Sequence, residues 1–228
     1  MKIFAFIFAR GGSKGLINKN LKKINKKSLI QYAVDTAKEI NEINEIYVST
    51  EDNKIKNEAK RLDVNIIDRP LDLAKDSSDE WVAWQHAINF LEKRGKTFDI
   101  FVSIPATSPL RKAQDVKKCI KALKNDVDVV VTATQSGRNP WFNMITKDKN
   151  DFSKLVNKGK KVTRRQDAPK VFDLTTVAYV AKRDFIISSK GIFNGKCKAV
   201  LIPKIRAIDI DDQYDFDLAK YLIEKRKH

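Results

Sequence analysis

The chain opens on Ile3-Phe4-Ala5-Phe6-Ile7-Phe8, an apolar run with no polar face. Such a run predicts a strand covered on both sides. Comparable runs recur at Glu45-Ile46-Tyr47-Val48-Ser49-Thr50, Val64-Asn65-Ile66-Ile67, Phe98-Asp99-Ile100-Phe101-Val102-Ser103-Ile104, Val127-Asp128-Val129-Val130-Val131-Thr132-Ala133 and Thr175-Thr176-Val177-Ala178-Tyr179-Val180, with a last one near Ala199-Val200-Leu201-Ile202. Between them the period changes. Over residues 28–43, Leu29, Ile30, Ala33, Val34, Ala37 and Ile40 fall on one helical face. Residues 51–62, 79–91, 115–124 and 214–227 read as further helices, the last amphipathic. Asp68-Arg69-Pro70 ends the third strand, and the Asp and Ser residues of Lys75-Asp76-Ser77-Ser78 suit the N-cap of the helix after it. Strands alternating with helices predict βαβ units, hence an α/β fold with a mainly parallel sheet flanked by helices. Ligands of such sheets sit beyond the carboxyl ends of the strands.

The alternation stops over residues 135–171. There Arg138-Asn139-Pro140-Trp141-Phe142-Asn143 and Thr163-Arg164-Arg165-Gln166-Asp167-Ala168-Pro169 bracket a polar stretch rich in Lys and Asn. We expect an excursion from the sheet, a hairpin-like arm placed to meet a second subunit. No repeat or linker divides the rest, so residues 1–228 read as one domain carrying 135–171 as an insertion.

Composition narrows the classes. A chain of 228 residues with 42% apolar content buries a full core. Cys119 and Cys197 are the only cysteines, which implies neither a disulfide framework nor a cysteine zinc site and points to a reducing compartment. The first apolar run is too short for a signal peptide or a membrane span, so a cytoplasmic protein with no membrane partner is expected. The net charge of +16, from 45 basic and 29 acidic residues, raises nucleic acid as a partner. However, the lysines are spread along the whole chain and no aromatics interleave with them to make a stacking platform. A solvated basic surface that attracts a small anion is the reading we take, with no nucleic-acid partner.

Two stretches carry chemistry. Ala9-Arg10-Gly11-Gly12-Ser13-Lys14-Gly15, with Lys19 and Asn20 close behind, joins the first strand to the first helix. Three glycines allow a tight turn with exposed amides, and Arg10, Lys14 and Lys19 bring cations suited to a polyphosphate. The spacing is neither that of a Walker loop nor that of a dinucleotide-binding loop. The second stretch is Asp209-Ile210-Asp211. In an extended chain both carboxylates face one way, a hard-oxygen pair for Mg²⁺ or Mn²⁺. The same acids would also suit the N-terminus of the final helix; the two uses are compatible, with Asp212 at the cap. A glycine loop with cations and an Asp-x-Asp pair on one sheet suggest nucleotidyl transfer, with Thr107 and Ser108 placed to read base or ribose. His86 reads as a packed helical residue.

In order along the chain, Ala9-Arg10-Gly11-Gly12-Ser13-Lys14-Gly15 with Asn18-Lys19-Asn20, Ser49-Thr50-Glu51-Asp52, Arg69-Pro70, Ala106-Thr107-Ser108-Pro109-Leu110-Arg111, Arg164-Arg165-Gln166 and Asp209-Ile210-Asp211 resemble the acylneuraminate cytidylyltransferases, the CMP-sialic acid synthetases. The resemblance implies a Rossmann-like nucleotidyltransferase fold and a homodimer with an arm crossing between subunits. It also implies Mg²⁺-dependent attack of a nonulosonic acid's anomeric hydroxyl on the α-phosphate of CTP. Carried over, Arg10, Gly11, Gly12, Ser13, Lys14, Lys19, Asn20, Arg69, Thr107 and Ser108 would hold CTP. Asp209 and Asp211 would hold the metal, and Arg165 and Gln166 the acidic sugar. Arg10, Lys19 and Asp211 would serve the reaction itself. Two departures bear on the sugar. Pro105 stands where the family often has Gln, and Asp173-Leu174-Thr175-Thr176-Val177-Ala178 replaces an Asn-Gly-Ala segment. Arg138-Asn139-Pro140, Phe142-Asn143 and Ala168-Pro169-Lys170 are similar to the legionaminic acid branch. Cytidylyltransferases for 3-deoxy-octulosonate or its amino variant are the nearest rival. A non-enzymatic polyanion-binding protein would explain the charge but not the paired Asp209 and Asp211.

Overall fold

A computed structural model of the chain describes residues 1–75, 77–157, 159 and 162–225. Asp76, expected near a helix cap, and the end of the last helix beyond residue 225 lie outside the described residues. The expected alternation is present. In chain order the elements are β1 (Ile3–Phe8), a small hairpin of β2 (Lys23–Ile24) and β3 (Lys27–Ser28), α1 (Leu29–Lys38), β4 (Glu45–Thr50), α2 (Asn53–Arg61), β5 (Asn65–Asp68), α3 (Glu80–Glu92), β6 (Ile100–Ser103), α4 (Ala113–Ala122) and β7 (Val129–Gln135). The excursion holds β8 (Ile145–Lys147) and β9 (Ser153–Leu155), after which come β10 (Phe172–Lys182), α5 (Arg183–Ser188), β11 (Cys197–Leu201) and α6 (Gln213–Lys225).

Seven strands form one sheet in the order β11-β7-β10-β6-β1-β4-β5. Neighbours pair in parallel except around β10, which runs antiparallel to both β6 and β7. The fold is therefore Rossmann-like, mainly parallel and flanked by helices on both faces. The chain leaves β1 toward β4 and β5, then returns to place β6 on the other side of β1. That reversal opens a crevice at the carboxyl ends of β1 and β6, the place where open α/β sheets bind ligands.

The alternation of β1 explains the two layers. Ile3, Ala5 and Ile7 face a core completed by Leu29, Ile30 and Val34 of α1, Val116 and Cys119 of α4, and Phe216 and Ala219 of α6. Phe4 and Phe6 face the other way, into an aromatic layer with Tyr47, Phe101 and the Trp81 and Trp84 of α3. Phe6 and Phe101 stack with centroids 4.5 Å apart, and Trp84 lies 5.0 Å from Phe101. Such pairs add about 0.5–1.5 kcal/mol beyond the area they bury.

Helix starts are chemically marked. Ser28 accepts from Gln31 N, Asp52 from Ile55 N and Asp79 from Trp81 N. The excursion between β7 and β10 does contain a hairpin, since β8 and β9 pair antiparallel.

β10 is irregular. Thr175 pairs with Thr132, yet Tyr179 pairs with Val131, so residues 176–178 bulge out of register. The buried Thr132 hydroxyl accepts from Ala178 N (3.2 Å) and Thr175 Oγ1 (2.8 Å), and lies 3.1 Å from the Thr175 carbonyl to which it donates. Bulges of this kind re-aim side chains near sites. Thr132→Val keeps the shape but strands the Ala178 N–H, a loss of about 1–3 kcal/mol. We expect the melting temperature to fall by about 2–10 °C; a scan showing no change would mean that the hydroxyl does not hold the bulge.

Candidate active site

A cavity of about 560 Å³ opens at the crevice between β1 and β6. Its wall draws on the β1–α1 loop (Arg10, Ser13, Lys14, Gly15, Lys19, Asn20), on Arg69 after β5, on the start of α3 (Asp79, Glu80, Ala83), on Pro105 and Thr107 after β6, on Thr176 of the bulge, and on Asp209 and Asp211. The two stretches singled out in the sequence, about 190 residues apart, thus face one space.

The glycines of the β1–α1 loop answer to close approach rather than to unusual torsions, the left-handed turn there falling on Asn18 instead. Among the described glycines, Gly95 alone has a positive φ. A Cβ on Gly11 would lie 2.5 Å from Asp52 Oδ2, and one on Gly15 would lie 2.5 Å from the Asp211 carbonyl oxygen. Gly12 has open space and meets no such limit. The expected row of exposed amides is only partly available. Gly11 N donates to Glu51 Oε1 at 2.7 Å, and Ser13 N turns back to the Gly11 carbonyl. Anion binding here therefore falls mainly to the side chains. Asn20, buried, donates to the Arg10 carbonyl at 3.0 Å and braces the loop. Lys19 reaches across to Asp211 Oδ1 at 3.0 Å.

The acidic pair does not end a strand, as the extended reading of residues 209–211 supposed. β11 stops at Leu201, a short 3-10 turn (Lys204–Arg206) intervenes, and residues 207–211 form a loop. That loop is tied to the one after β6 by Ile210 N donating to the Thr107 carbonyl at 2.9 Å. Asp212 caps α6, accepting from Asp215 N at 3.0 Å while its own N–H reaches Asp215 Oδ2 at 3.3 Å. The cap and the pair are thus built from different acids. Asp209 is half-buried, and its Oδ1 is buried with no hydrogen-bond partner in the chain. Burial pushes its carboxyl above the ordinary aspartate range and the Asp211 charge adds to the push, while the Thr107 and Thr176 hydroxyls and Lys19 oppose it. Two hard carboxylate oxygens, one unsatisfied, fit a divalent cation that takes its other ligands from water and phosphate. No cluster of three or more potential metal-ligating side chains is present among the described residues.

Behind this wall lies a buried cationic strut. Arg111 donates to the Pro105 carbonyl. Burial lowers its pKa to about 9 against the opposing pull of Asp209 and Asp115. Asp115, fully buried, takes two hydrogen bonds from Arg206 at 2.8 and 2.9 Å. Arg69 is also buried, its Nε and Nη2 on Ser49 and its guanidinium 5.5 Å from the Phe8 ring. Burial depresses its pKa too.

Some expected residues sit elsewhere. Ser108 is buried and paired with Thr176 Oγ1 at 2.8 Å, so it supports Thr107 from behind instead of lining the cavity. Gly11 and Gly12 are absent from the cavity wall. Arg165 and Gln166 lie on the exposed arm, where Arg165 donates to the Gly137 carbonyl at 3.2 Å, and neither lines the cavity of its own chain. His86 packs near Phe90 on α3, as a structural residue would. Conversely, Glu80 and Thr176 line the cavity without having been singled out. Glu80 falls within residues 79–91, which read simply as a helix, and Thr176 in a run that read as plain strand. Only the bulge and the helix start reveal them.

Comparisons with known proteins supply the family and the fold. Residues 4–226 match the family model described as cytidylyltransferase. The chain is 32% identical over 225 residues to CMP-N,N'-diacetyllegionaminic acid synthase of Campylobacter jejuni, covering 97% of this chain and 95% of that one. It is 31% identical over 228 residues to post-translational flagellin modification protein B of Campylobacter coli, covering 99% and 96%. Among solved structures it is similar to a CMP:2-keto-3-deoxy-manno-octonic acid synthetase complexed with CTP, with a TM-score of 0.74 at 14% identity over 99% of this chain and 100% of that one.

Because Asp209 has a raised pKa when folded, its contribution to stability is complete at low pH and is lost as pH rises through its folded range. Asp209→Asn removes that loss. We expect the variant, without ligand at neutral pH, to melt above wild type in a thermal scan. The gap should close below about pH 4. A lower melting temperature for the variant at neutral pH would contradict this description of Asp209.

Proposed function

Because the chain belongs to the cytidylyltransferase family, we propose that it transfers CMP from CTP to the anomeric hydroxyl of a nonulosonic, sialic-acid-like sugar and releases pyrophosphate. The observation that carries this reading is the meeting of Arg10, Lys14 and Lys19 with Asp209 and Asp211 around one cavity. Cations on one wall suit a triphosphate, and hard carboxylates on the other suit the centre of charge change. The similarity to a legionaminic acid synthase favours a nine-carbon acidic sugar over the eight-carbon rival.

In this reading Arg10, Ser13, Lys14 and Lys19 hold the phosphates, with Asn20 fixing the loop through the Arg10 carbonyl. Thr107 and Thr176 present hydroxyls beside Asp209. The sugar hydroxyl oxygen bonds to the α-phosphorus, the bond to the β-phosphate oxygen breaks, and the hydroxyl proton passes to the exposed Asp211 carboxylate. Asp209 and Asp211 would hold Mg²⁺ or Mn²⁺, which supplies charge stabilisation at the α-phosphate and the departing pyrophosphate.

The arm belongs to a homodimer in this reading. Ile145, Phe152, Leu155, Val156, Phe172 and Leu174 on and beside it are large, apolar and exposed. An exposed surface of this kind marks an interaction site. Arg165 and Gln166, remote from their own cavity wall, would then meet the sugar bound by the other subunit, with Arg165 pairing its carboxylate. No helix among the described residues is long and apolar enough to cross a membrane.

The test is pyrophosphate release from CTP and Mg²⁺ with N-acetylneuraminate, legionaminate, pseudaminate and 3-deoxy-octulosonate offered separately. Release with a nine-carbon acid, and none when another nucleoside triphosphate replaces CTP, is expected. Release with 3-deoxy-octulosonate alone would move the chain to the rival sugar class, and nucleic-acid binding with no response to CTP would support the polyanion reading instead.

A further inference from the structure

The cavity wall contains an acid that the phosphate and metal chemistry above leaves unused. Glu80 is the first residue of α3, directly after the Asp79 cap, so its backbone is fixed by the helix start. Its Oε1 accepts from Trp84 Nε1 at 3.2 Å, one helical turn on. The side chain is accessible from the cavity, yet protein packed around it raises its carboxyl above the usual range, with Asp209 and Asp79 adding to the rise and Trp84 and Arg69 opposing it. A carboxylate held near a second one costs stability. Groups of that kind persist where they recognise something.

The surroundings of Glu80 indicate what. Phe8, Leu73 and Ala83 line the same cavity and add apolar surface of the kind a heteroaromatic ring packs against. Arg69 shares the wall and feels the Glu80 charge, although the two make no direct ion pair. Ser49 occupies its Nε and Nη2, which orients the planar guanidinium. The same cavity wall therefore carries a donor, Arg69, and an acceptor, Glu80, together with apolar side chains. The phosphate-binding cations Arg10, Lys14 and Lys19 stand on a different segment. Cytosine carries the complementary edge, an accepting ring carbonyl and a donating exocyclic amine. Uracil puts an accepting oxygen where cytosine has the amine, and a carboxylate facing it would be repelled and unpaired.

We propose that Glu80 is the residue that selects cytosine: its carboxylate accepts from the exocyclic amine of the base while Arg69 donates to the ring carbonyl. This rests on the CTP-using reading above. Trp84 is then a positioning residue, since its indole N–H holds one oxygen of the carboxylate that lines the cavity. The shape of the site rather than its charge alone sets the preference, because a bare anion in a phosphate-binding cavity would weaken every nucleotide equally.

Titration calorimetry of CTP and UTP in the presence of Mg²⁺ tests this on wild type, Glu80→Gln and Glu80→Ala, with a melting scan for each. We expect wild type to prefer CTP by about tenfold or more. The Gln amide presents either a carbonyl or an amine, so Glu80→Gln should narrow that preference at least about tenfold, partly by gaining UTP. Glu80→Ala should lose CTP affinity without gaining UTP. An unchanged CTP-to-UTP ratio in both variants would overturn the assignment, whether it comes with a lower melting temperature or with a raised KM for the sugar. Wild type that binds neither nucleotide would overturn the transfer reading itself and this inference with it.

Discussion

The site depends on one close approach: the backbone at Gly15 lies against the Asp211 carbonyl with no room for a Cβ between them. Around that point Lys19 bridges to Asp211, and Ile210 N bonds the Thr107 carbonyl. Three loops from the carboxyl ends of the sheet are thereby locked into one wall. The contact joins residues near the two ends of the chain, and just beyond it α6 packs Phe216 and Ala219 onto the core. Binding chemistry in this protein is a product of topology first and of residue type second.

The electrostatic arrangement follows from that geometry. Asp209 and Glu80 hold carboxylates that burial disfavours, and Arg69 and Arg111 hold guanidinium groups with lowered pKa for the same reason. Each would be costly alone. Arg111 braces the loop after β6 from behind through the Pro105 carbonyl, while Arg69, Glu80 and Asp209 face the cavity. The two-layer core, with its aromatic face around Phe6, Phe101 and Trp84, supplies the stability that lets the wall remain unsatisfied until ligands arrive.

Much of this was readable from residue order, for identifiable reasons. The strands at Ile3–Phe8 and Glu45–Thr50 fall where the apolar runs put them, because strands covered on both faces need such runs. The start of α3 was legible only approximately: the polar run at 75–78 was expected to supply its cap, and Asp79 just after it does so. The direction of β10 was not readable, since alternation reports burial and says nothing of a neighbour's polarity. The loop character of residues 207–211 was hidden for a similar reason: an Asp-x-Asp pattern looks the same at a strand end and in a braced turn. The reason for Gly15 was hidden altogether, since its partner lies about 190 residues away. Ser108 looked like a ligand group beside Thr107, but β10 takes it inward to Thr176.

In the proposed reaction the basic loop and the acidic pair act on one shared ligand assembly, the triphosphate and its cation. Thermal unfolding of the wild-type chain with CTP alone, Mg²⁺ alone and both together tests it most directly. Stabilisation by the pair that clearly exceeds the sum of the separate effects, and that returns to simple addition in Asp211→Ala, is the predicted result. Strictly additive effects in the wild type would mean that nucleotide and metal do not meet between Lys19 and Asp211.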